Sequence, residues 1–441
     1  MTNMGTLKEV RLSSRGQQRT SDIGDAYASP TPWKGEFYDE DRNPEGAIRV
    51  DTAENLLMTD DLLKHIHDHF RLSEDHLKYR FGLENGFQPT LTEALPRFLN
   101  RTLKPRIPIT PEVTAVGPGA GSLLAQLLWI LSEPGDGILV TTPFYAHYTR
   151  DTVYPAQAVT VAVHVPPDDD PLSPSVIPLI RKTAEERENR NQRCTVLILC
   201  NPHNPIGRAY PVETIKGYAA IAEELNLHLI VDELFANEVF SSRFSPHPTE
   251  FVSILSYDPI ELQCNPSRIH VLAGPGKDFG ASGIKAAGLV SQNNPSVVAC
   301  VRAALMPIPV SSAADAIFTS ILNDVDFCER FLEENRIKLG KAFELLADWC
   351  NFHGLSFSTT EAGIFCLVDF APLIQKSEDQ SLTLEEQVEN ATLRMKRSGV
   401  LLKHANQIVT RFRVIFSFPE KLMKLVLFRI ENAFSLTHCR W

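Results

Sequence analysis

From about residue 110 onward the chain alternates short apolar runs with helical stretches, and this alternation constrains its fold more than any other feature. The runs at 137–141, 159–163, 195–200, 228–231, 269–272 and 287–290 are largely β-branched or apolar and too short for ordinary helices. Strands that read this way are covered on both faces, which is the mark of parallel sheets. The pattern therefore predicts an α/β domain on a mainly parallel central sheet.

Three motifs follow three of these strands. Asn201-Pro202-His203-Asn204-Pro205-Ile206-Gly207 follows the run ending at 200, Asp232-Glu233-Leu234-Phe235 follows the next, and Gly274-Pro275-Gly276-Lys277-Asp278-Phe279-Gly280 follows the run ending at 272. Ligands of open α/β sheets bind at the carboxyl ends of the strands, so the motifs belong to one site.

The rest of the chain is read around that domain. Its first fifty or so residues are polar and carry Pro30, Pro32 and Pro44, which predicts an irregular arm suited to wrapping a partner subunit. The charged stretch 181–193 reads as a solvated helix end and loop. A long helical region over about 311–349 precedes a strand at 363–369, a charged helix near 384–397, a strand at 411–416 and a final helix, together a smaller α+β domain. The division expected is 1–55 for the arm and part of the small domain, 56–310 for the large domain and 311–441 for the small C-terminal domain.

Composition narrows the chemistry. A net charge of −11 argues against a general nucleic-acid binder, which needs clustered Lys and Arg. No apolar run reaches the roughly eighteen residues of a membrane helix and the first residues lack a signal-peptide centre, so a cytoplasmic location is the expectation. The 8 cysteines are scattered without a CxxC pair or Cys/His cluster, so no disulfide framework and no metal site is expected. What remains is small-molecule chemistry.

Lys277 is the candidate reactive group, because the glycines and proline around it imply tight backbone. A P-loop is excluded: Asp278 stands where Ser or Thr is required and Val271 where the first glycine belongs. A lysine that forms an imine with pyridoxal phosphate and then acts as base fits instead. Such a cofactor needs a carboxylate at its pyridine nitrogen, and Asp232 is placed for it; capping a following helix is an equal reading of that aspartate. Asn204 is a donor for the phenolic oxygen, and Tyr145 could stack on the ring or serve the core. Gly117-Pro118-Gly119-Ala120-Gly121-Ser122 precedes an apolar helix over 123–131, so amides at Ala120 and Gly121 could receive a phosphate.

With these motifs the chain resembles the fold-type I pyridoxal-phosphate enzymes. Within them it is most similar to the class I/II aminotransferases of the 1-aminocyclopropane-1-carboxylate synthase-like branch, from about residue 43 to the C-terminus. Ala53-Glu54-Asn55-Leu56, Glu133-Pro134-Gly135-Asp136, Ala362-Gly363-Ile364-Phe365-Cys366 and Phe412-Arg413-Val414-Ile415-Phe416 extend the match. The resemblance implies that Lys277 carries the Schiff base, Asp232 pairs with the pyridine nitrogen, Asn204 binds the phenolic oxygen and Tyr145 stacks on the ring. It also implies that Arg413 grips the substrate carboxylate, that Glu54 faces the substrate and that the enzyme is a homodimer.

Four family positions are altered. Gly274 replaces a usual serine and Lys285 a usual arginine, both phosphate contacts; Phe235 and Phe81 stand where tyrosine hydroxyls are usual. These changes predict weaker cofactor retention. The expected activity is an aminotransferase reaction on an α-amino acid, in specialised (secondary) biosynthesis; the alternatives are a β- or γ-elimination lyase, including carbon–sulfur lyases, and a non-catalytic protein that keeps the fold.

Overall fold

The computed structural model describes residues 12–17, 35–78, 91–149, 156–377, 379, 381–402, 404–405 and 408–440. The chain divides into two units, Met1–Gly46 and Ala47–Trp441. In the first, Asp39 and Asn43 pair across a tight loop in which Asp39 Oδ1 accepts from the amides of Asp41 and Arg42.

The second unit holds twelve strands among its described residues. They are β1 (Ile48–Arg49), β2 (Thr114–Gly117), β3 (Gly137–Thr141), β4 (Val159–Val163), β5 (Cys194–Cys200), β6 (His228–Asp232), β7 (Ile269–Ala273), β8 (Ala287–Val290), β9 (Phe365–Asp369), β10 (Val400–Leu401), β11 (His404–Ala405) and β12 (Ile408–Ile415). Seven form one sheet in the order β2-β8-β7-β6-β5-β3-β4, in which β8 alone runs against its neighbours. The mainly parallel α/β sheet expected from the alternation is present.

The reason for its uninterrupted apolar strands is visible in the packing. Successive side chains of a strand point to opposite faces. Leu197, Leu199, Leu229 and Val231 enter one core, where helix Val212–Glu224 packs. Val196, Ile198 and Ile230 enter a second core, filled by Leu123, Leu124, Leu127 and Leu128 of helix Ala120–Leu131. Both faces of the sheet are thus covered, so no strand has a polar side to show.

Some expectations needed revision. The edge strand β2 was not foreseen: Thr114-Ala115-Val116-Gly117 is short and half composed of small residues, so it carries little strand signal. The helical region over 311–349 is two helices, Ser312–Asn323 and Val325–Phe352. Asp324 separates them, because its non-helical backbone and its Oδ1, which accepts from the Phe327 amide at 3.0 Å, cap the second helix. The charged stretch 181–193 continues the helix Val176–Glu188 and then turns. The charged helix is Leu384–Arg397.

Toward the C-terminus, β11, β12 and β9 form an antiparallel sheet, and β1 pairs in parallel with β10. Val50 bridges the two sets, donating to Leu401 O at 3.0 Å and accepting from the Ile415 amide at 3.3 Å. This places the segment 51–55 beside β12. No helix among the described residues is long and apolar enough to cross a membrane.

Candidate active site

In the sheet register Cys200 lies beside Asp232, and Asp232 beside Leu272. Parallel neighbours end together, so the 201–207 loop, Asp232 and the 274–280 loop emerge side by side. The three motifs read from the sequence meet here because the strands that carry them are adjacent.

Lys277 lies in a single helical turn, Pro275–Asp278. Its Nζ donates to the carbonyl oxygen of Ala53 at 2.6 Å, and it stands 6.0 Å from the centre of the Phe235 ring. Burial lowers the amine below the usual lysine range; Glu238 opposes the shift, Arg413 and Lys285 add to it, and Glu54 opposes it. Such an amine gives up its proton more readily than a surface lysine and is the more nucleophilic for it.

Asp232 does not cap a helix, since a loop of turns follows β6. Its Oδ1 accepts from the Leu234 amide at 3.3 Å and its Oδ2 from the Tyr148 hydroxyl at 2.6 Å. Burial, and then the charge of Asp232, push the Tyr148 phenol well above its ordinary range, so it stays a donor.

Arg413 on β12 reaches across to the same place. Its Nη1 donates to Asn204 Oδ1 at 3.3 Å and its Nη2 to Asp51 O at 2.8 Å, over the Phe365 ring at 5.7 Å. With Oδ1 occupied by the guanidinium, Nδ2 is the donating atom of Asn204. Burial lowers Arg413 from its usual value, with Tyr145 and Asp51 opposing. Tyr145 is half-buried, edge-on to Tyr148 at 5.4 Å. Glu54 is exposed, and its carbonyl accepts from the Ser417 hydroxyl at 2.8 Å.

The helix Ala120–Leu131 begins at Gly119, whose φ of 92° is open to glycine and which supplies no side-chain cap. Amides of Ala120 and Gly121 thus lead an uncapped N-terminus, the arrangement that receives anions. Lys285 is exposed, and its Cδ lies 3.6 Å from where a Gly119 Cβ would stand. Gly274 has its own reason: a Cβ there would meet Ala287 Cα at 2.7 Å, so the serine usual in the family has no room. Phe235 is buried edge-on to Phe365 at 5.1 Å. Phe81 lies outside the described residues.

A buried amine, a carboxylate at a strand end, an amide donor and an uncapped helix N-terminus with a lysine beside it are the donor set that pyridoxal phosphate requires. The residues present fit it.

The structure adds groups that the sequence left silent. Tyr148 follows Tyr145 by three positions, but no spacing marks it as the partner of Asp232. The Ala53 carbonyl is backbone and has no side-chain signature. Glu238 and Asp278 are buried close to Lys277. The structure also brings His65, His69 and Asp324 together, although no such cluster was expected. The two rings stack at 4.3 Å, His65 Nε2 meets Asp324 Oδ2 at 3.3 Å and His69 Nδ1 meets the His65 carbonyl oxygen at 2.9 Å, so these groups bond to one another at the cap of helix Val325–Phe352.

The aminotransferase class I and II family pattern matches residues 50–430. Among curated proteins, the chain is 30% identical over 341 residues to the probable aminotransferase aclI of Aspergillus oryzae, covering 77% of this chain and 80% of that one. It is 28% identical over 407 residues to the probable aminotransferase gliI of Aspergillus fumigatus, covering 89% and 91%. It is also 28% identical to 1-aminocyclopropane-1-carboxylate synthase 2 of Solanum lycopersicum, covering 78% and 72%. The structure is similar to Thermus thermophilus aspartate aminotransferase with maleate, with a TM-score of 0.68 at 18% identity over 96% of this chain and 100% of that one, which concerns the fold. The chain belongs to aminotransferase class I and II and is a pyridoxal-phosphate-dependent enzyme of the aminotransferase or lyase kind.

Proposed function

We propose that this enzyme moves the amino group of an α-amino acid, with Lys277 bonding the cofactor and then serving as base at the substrate α-carbon. The observation that carries the reading is the meeting of Lys277, Asp232, Asn204 and Arg413 from four separate parts of the chain. Bound there, pyridoxal phosphate supplies an electron sink for the α-carbon. Asp232, fixed by Tyr148, would keep the pyridine nitrogen protonated, and Asn204 Nδ2 would donate to the phenolic oxygen. Tyr145 would cover the ring, while Ala120, Gly121 and Lys285 would hold the phosphate. Arg413 takes the substrate carboxylate: its 3.3 Å contact with the neutral Asn204 amide is long, and an ionised carboxylate is the stronger acceptor. Glu54 faces the substrate from the segment 51–55 beside β12. Gly274 and Phe235 shape the pocket without donating to the cofactor.

These altered contacts support a role in specialised biosynthesis. The likeness to 1-aminocyclopropane-1-carboxylate synthases favours a second reading, an elimination lyase. One experiment separates them: cofactor-loaded protein is mixed with single amino acids while absorbance, 2-oxo acid and ammonia are followed. A transaminase given donor alone changes the cofactor spectrum and releases oxo acid once per site, without ammonia. A lyase returns to its starting spectrum and turns over repeatedly on one amino acid, releasing its leaving group with ammonia and oxo acid after an open-chain elimination, or with no ammonia when the elimination closes a ring. No spectral response to any amino acid would defeat both. We also propose a homodimer, supported by the exposed Trp129 of helix Ala120–Leu131 and the exposed Met306 at the end of the helix Pro295–Leu305 packed against it, and light scattering tests it.

A further inference from the structure

Glu238 has no part in the reading above, and its surroundings are unusual. It is 0% exposed, and neither carboxylate oxygen has a hydrogen-bond partner among the described residues. Its backbone is satisfied, by donation to Phe235 O at 3.1 Å and acceptance from the Gly363 amide at 3.0 Å. An isolated carboxylate in such a place is untenable without a counter-charge or a bound proton.

Two tethers join the segment of Glu238 to that of Lys277, and the two side chains are near enough for each to shift the other's acidity although they form no hydrogen bond. The turn from Phe235 to Glu238 is closed by that 3.1 Å bond, and the Phe235 ring lies 6.0 Å from Lys277 Nζ. The adjoining Asn237 donates through Nδ2 to Asp278 Oδ2 at 3.1 Å, and Asp278 is the residue after Lys277. The charged groups around the pair come from several elements. Lys277 and Asp278 act on Glu238; Arg336 of helix Val325–Phe352 acts on Asp278; Arg413, Lys285 and Glu54 act on Lys277.

We propose that Glu238 is a positioning residue for Lys277, ionised as its counter-ion while Nζ is charged and protonated while Nζ is neutral. The inference rests on Lys277 being the lysine that bonds the cofactor. The exchange balances: an N–H bond of Lys277 breaks with its electron pair left on nitrogen, and Glu238 gains one O–H bond. The pair therefore carries no net charge in either state, which is what a buried site favours as the lysine alternates between bonded and free. Burial, with Asp278 adding and Lys277 opposing, holds the Glu238 acid well above the ordinary carboxylate range, consistent with a proton that comes and goes with the lysine.

The test uses the full chain freed of cofactor. Capture of pyridoxal phosphate by Lys277, trapped with borohydride and read by peptide mass spectrometry, is followed against pH, because only the neutral amine reacts. Glu238→Gln removes the counter-ion and is expected to move the capture midpoint down by about one pH unit. Glu238→Asp is expected to stay near the wild-type midpoint, and other lysines captured in the same sample are expected not to move. A Lys277 midpoint unchanged in Glu238→Gln overturns this inference alone. Absence of Lys277 capture in every variant, wild type included, overturns the cofactor-lysine reading itself. Should Glu238→Gln fail to fold, the infrared difference spectrum with and without pyridoxal phosphate decides, taken on Asp278→Asn so that the neighbouring raised acid is silent: a new protonated-carboxyl band supports the proposal and its absence overturns it.

Discussion

The Tyr148 hydroxyl donates to Asp232 Oδ2 at 2.6 Å, and both groups are buried at the carboxyl end of β6. A phenol bonded to an ionised carboxylate holds that carboxylate in one orientation, which suits the role proposed for Asp232 at a pyridine nitrogen.

Tyr148→Phe removes this donor without removing the ring that meets Tyr145. The loss is expected to cost about 1–3 kcal/mol of stability, since a buried carboxylate oxygen loses a charge-assisted bond. Urea unfolding of the cofactor-free chain measures it. A cofactor titration is expected to show weaker binding as well, because Asp232 is then less firmly aimed.

Gly274→Ser is expected to destabilise the chain by about 1–3 kcal/mol rather than restore a phosphate contact, because overpacking forces backbone to move. The new Cβ would stand 2.7 Å from Ala287 Cα and 3.0 Å from Ala287 Cβ. Combining it with Ala287→Gly removes the second clash and frees β8 to shift, so the double variant is expected to recover part of the loss in the same unfolding measurement.

Lys285 sits at a φ of 65°, and Lys, Arg and Ala all carry the Cβ that makes this conformation costly. Substitutions among them therefore report on the head group. Lys285→Arg supplies a bidentate fork worth roughly 1 kcal/mol, about fivefold in Kd for pyridoxal phosphate. Lys285→Ala is expected to weaken binding, and the wild-type chain to lose cofactor on extensive dialysis. Absorbance titration of cofactor-free protein checks all three.

Asp278 is pushed up to about 7 by burial, against Asn237 and Arg336, from an ordinary value of 3.8. A raised acid binds its proton more tightly folded than unfolded, so it withdraws stability as pH rises from the unfolded value to the folded one. The withdrawal runs at about 1.4 kcal/mol per pH unit. Asp278→Asn cannot ionise and keeps an oxygen for Asn237. Its stability relative to wild type is expected to climb between about pH 4 and about pH 7 and then level. Thermal unfolding of cofactor-free protein across that range reads the difference; a constant offset would mean the carboxyl is not protonated in the folded chain.

Much of this enzyme was legible before its fold. The apolar strands and the motifs after them fixed the parallel sheet, the cofactor class and a set of residues that the structure does bring to one edge, because strand-end motifs stay local to their strands. Boundaries failed where a single residue decides them: Asp324 splits a helical region by capping, a matter of one side chain and one amide. Tyr148, the Ala53 carbonyl and Glu238 were invisible for a different reason. Their significance lies in contacts with Asp232 and Lys277 that depend on how separate segments pack, and no sequence spacing encodes a distance across the sheet. The sequence by itself determined the fold and the cofactor class; the tertiary structure decided what surrounds Lys277, including why Gly274 cannot be serine and which buried acid lies on the segment tethered to it.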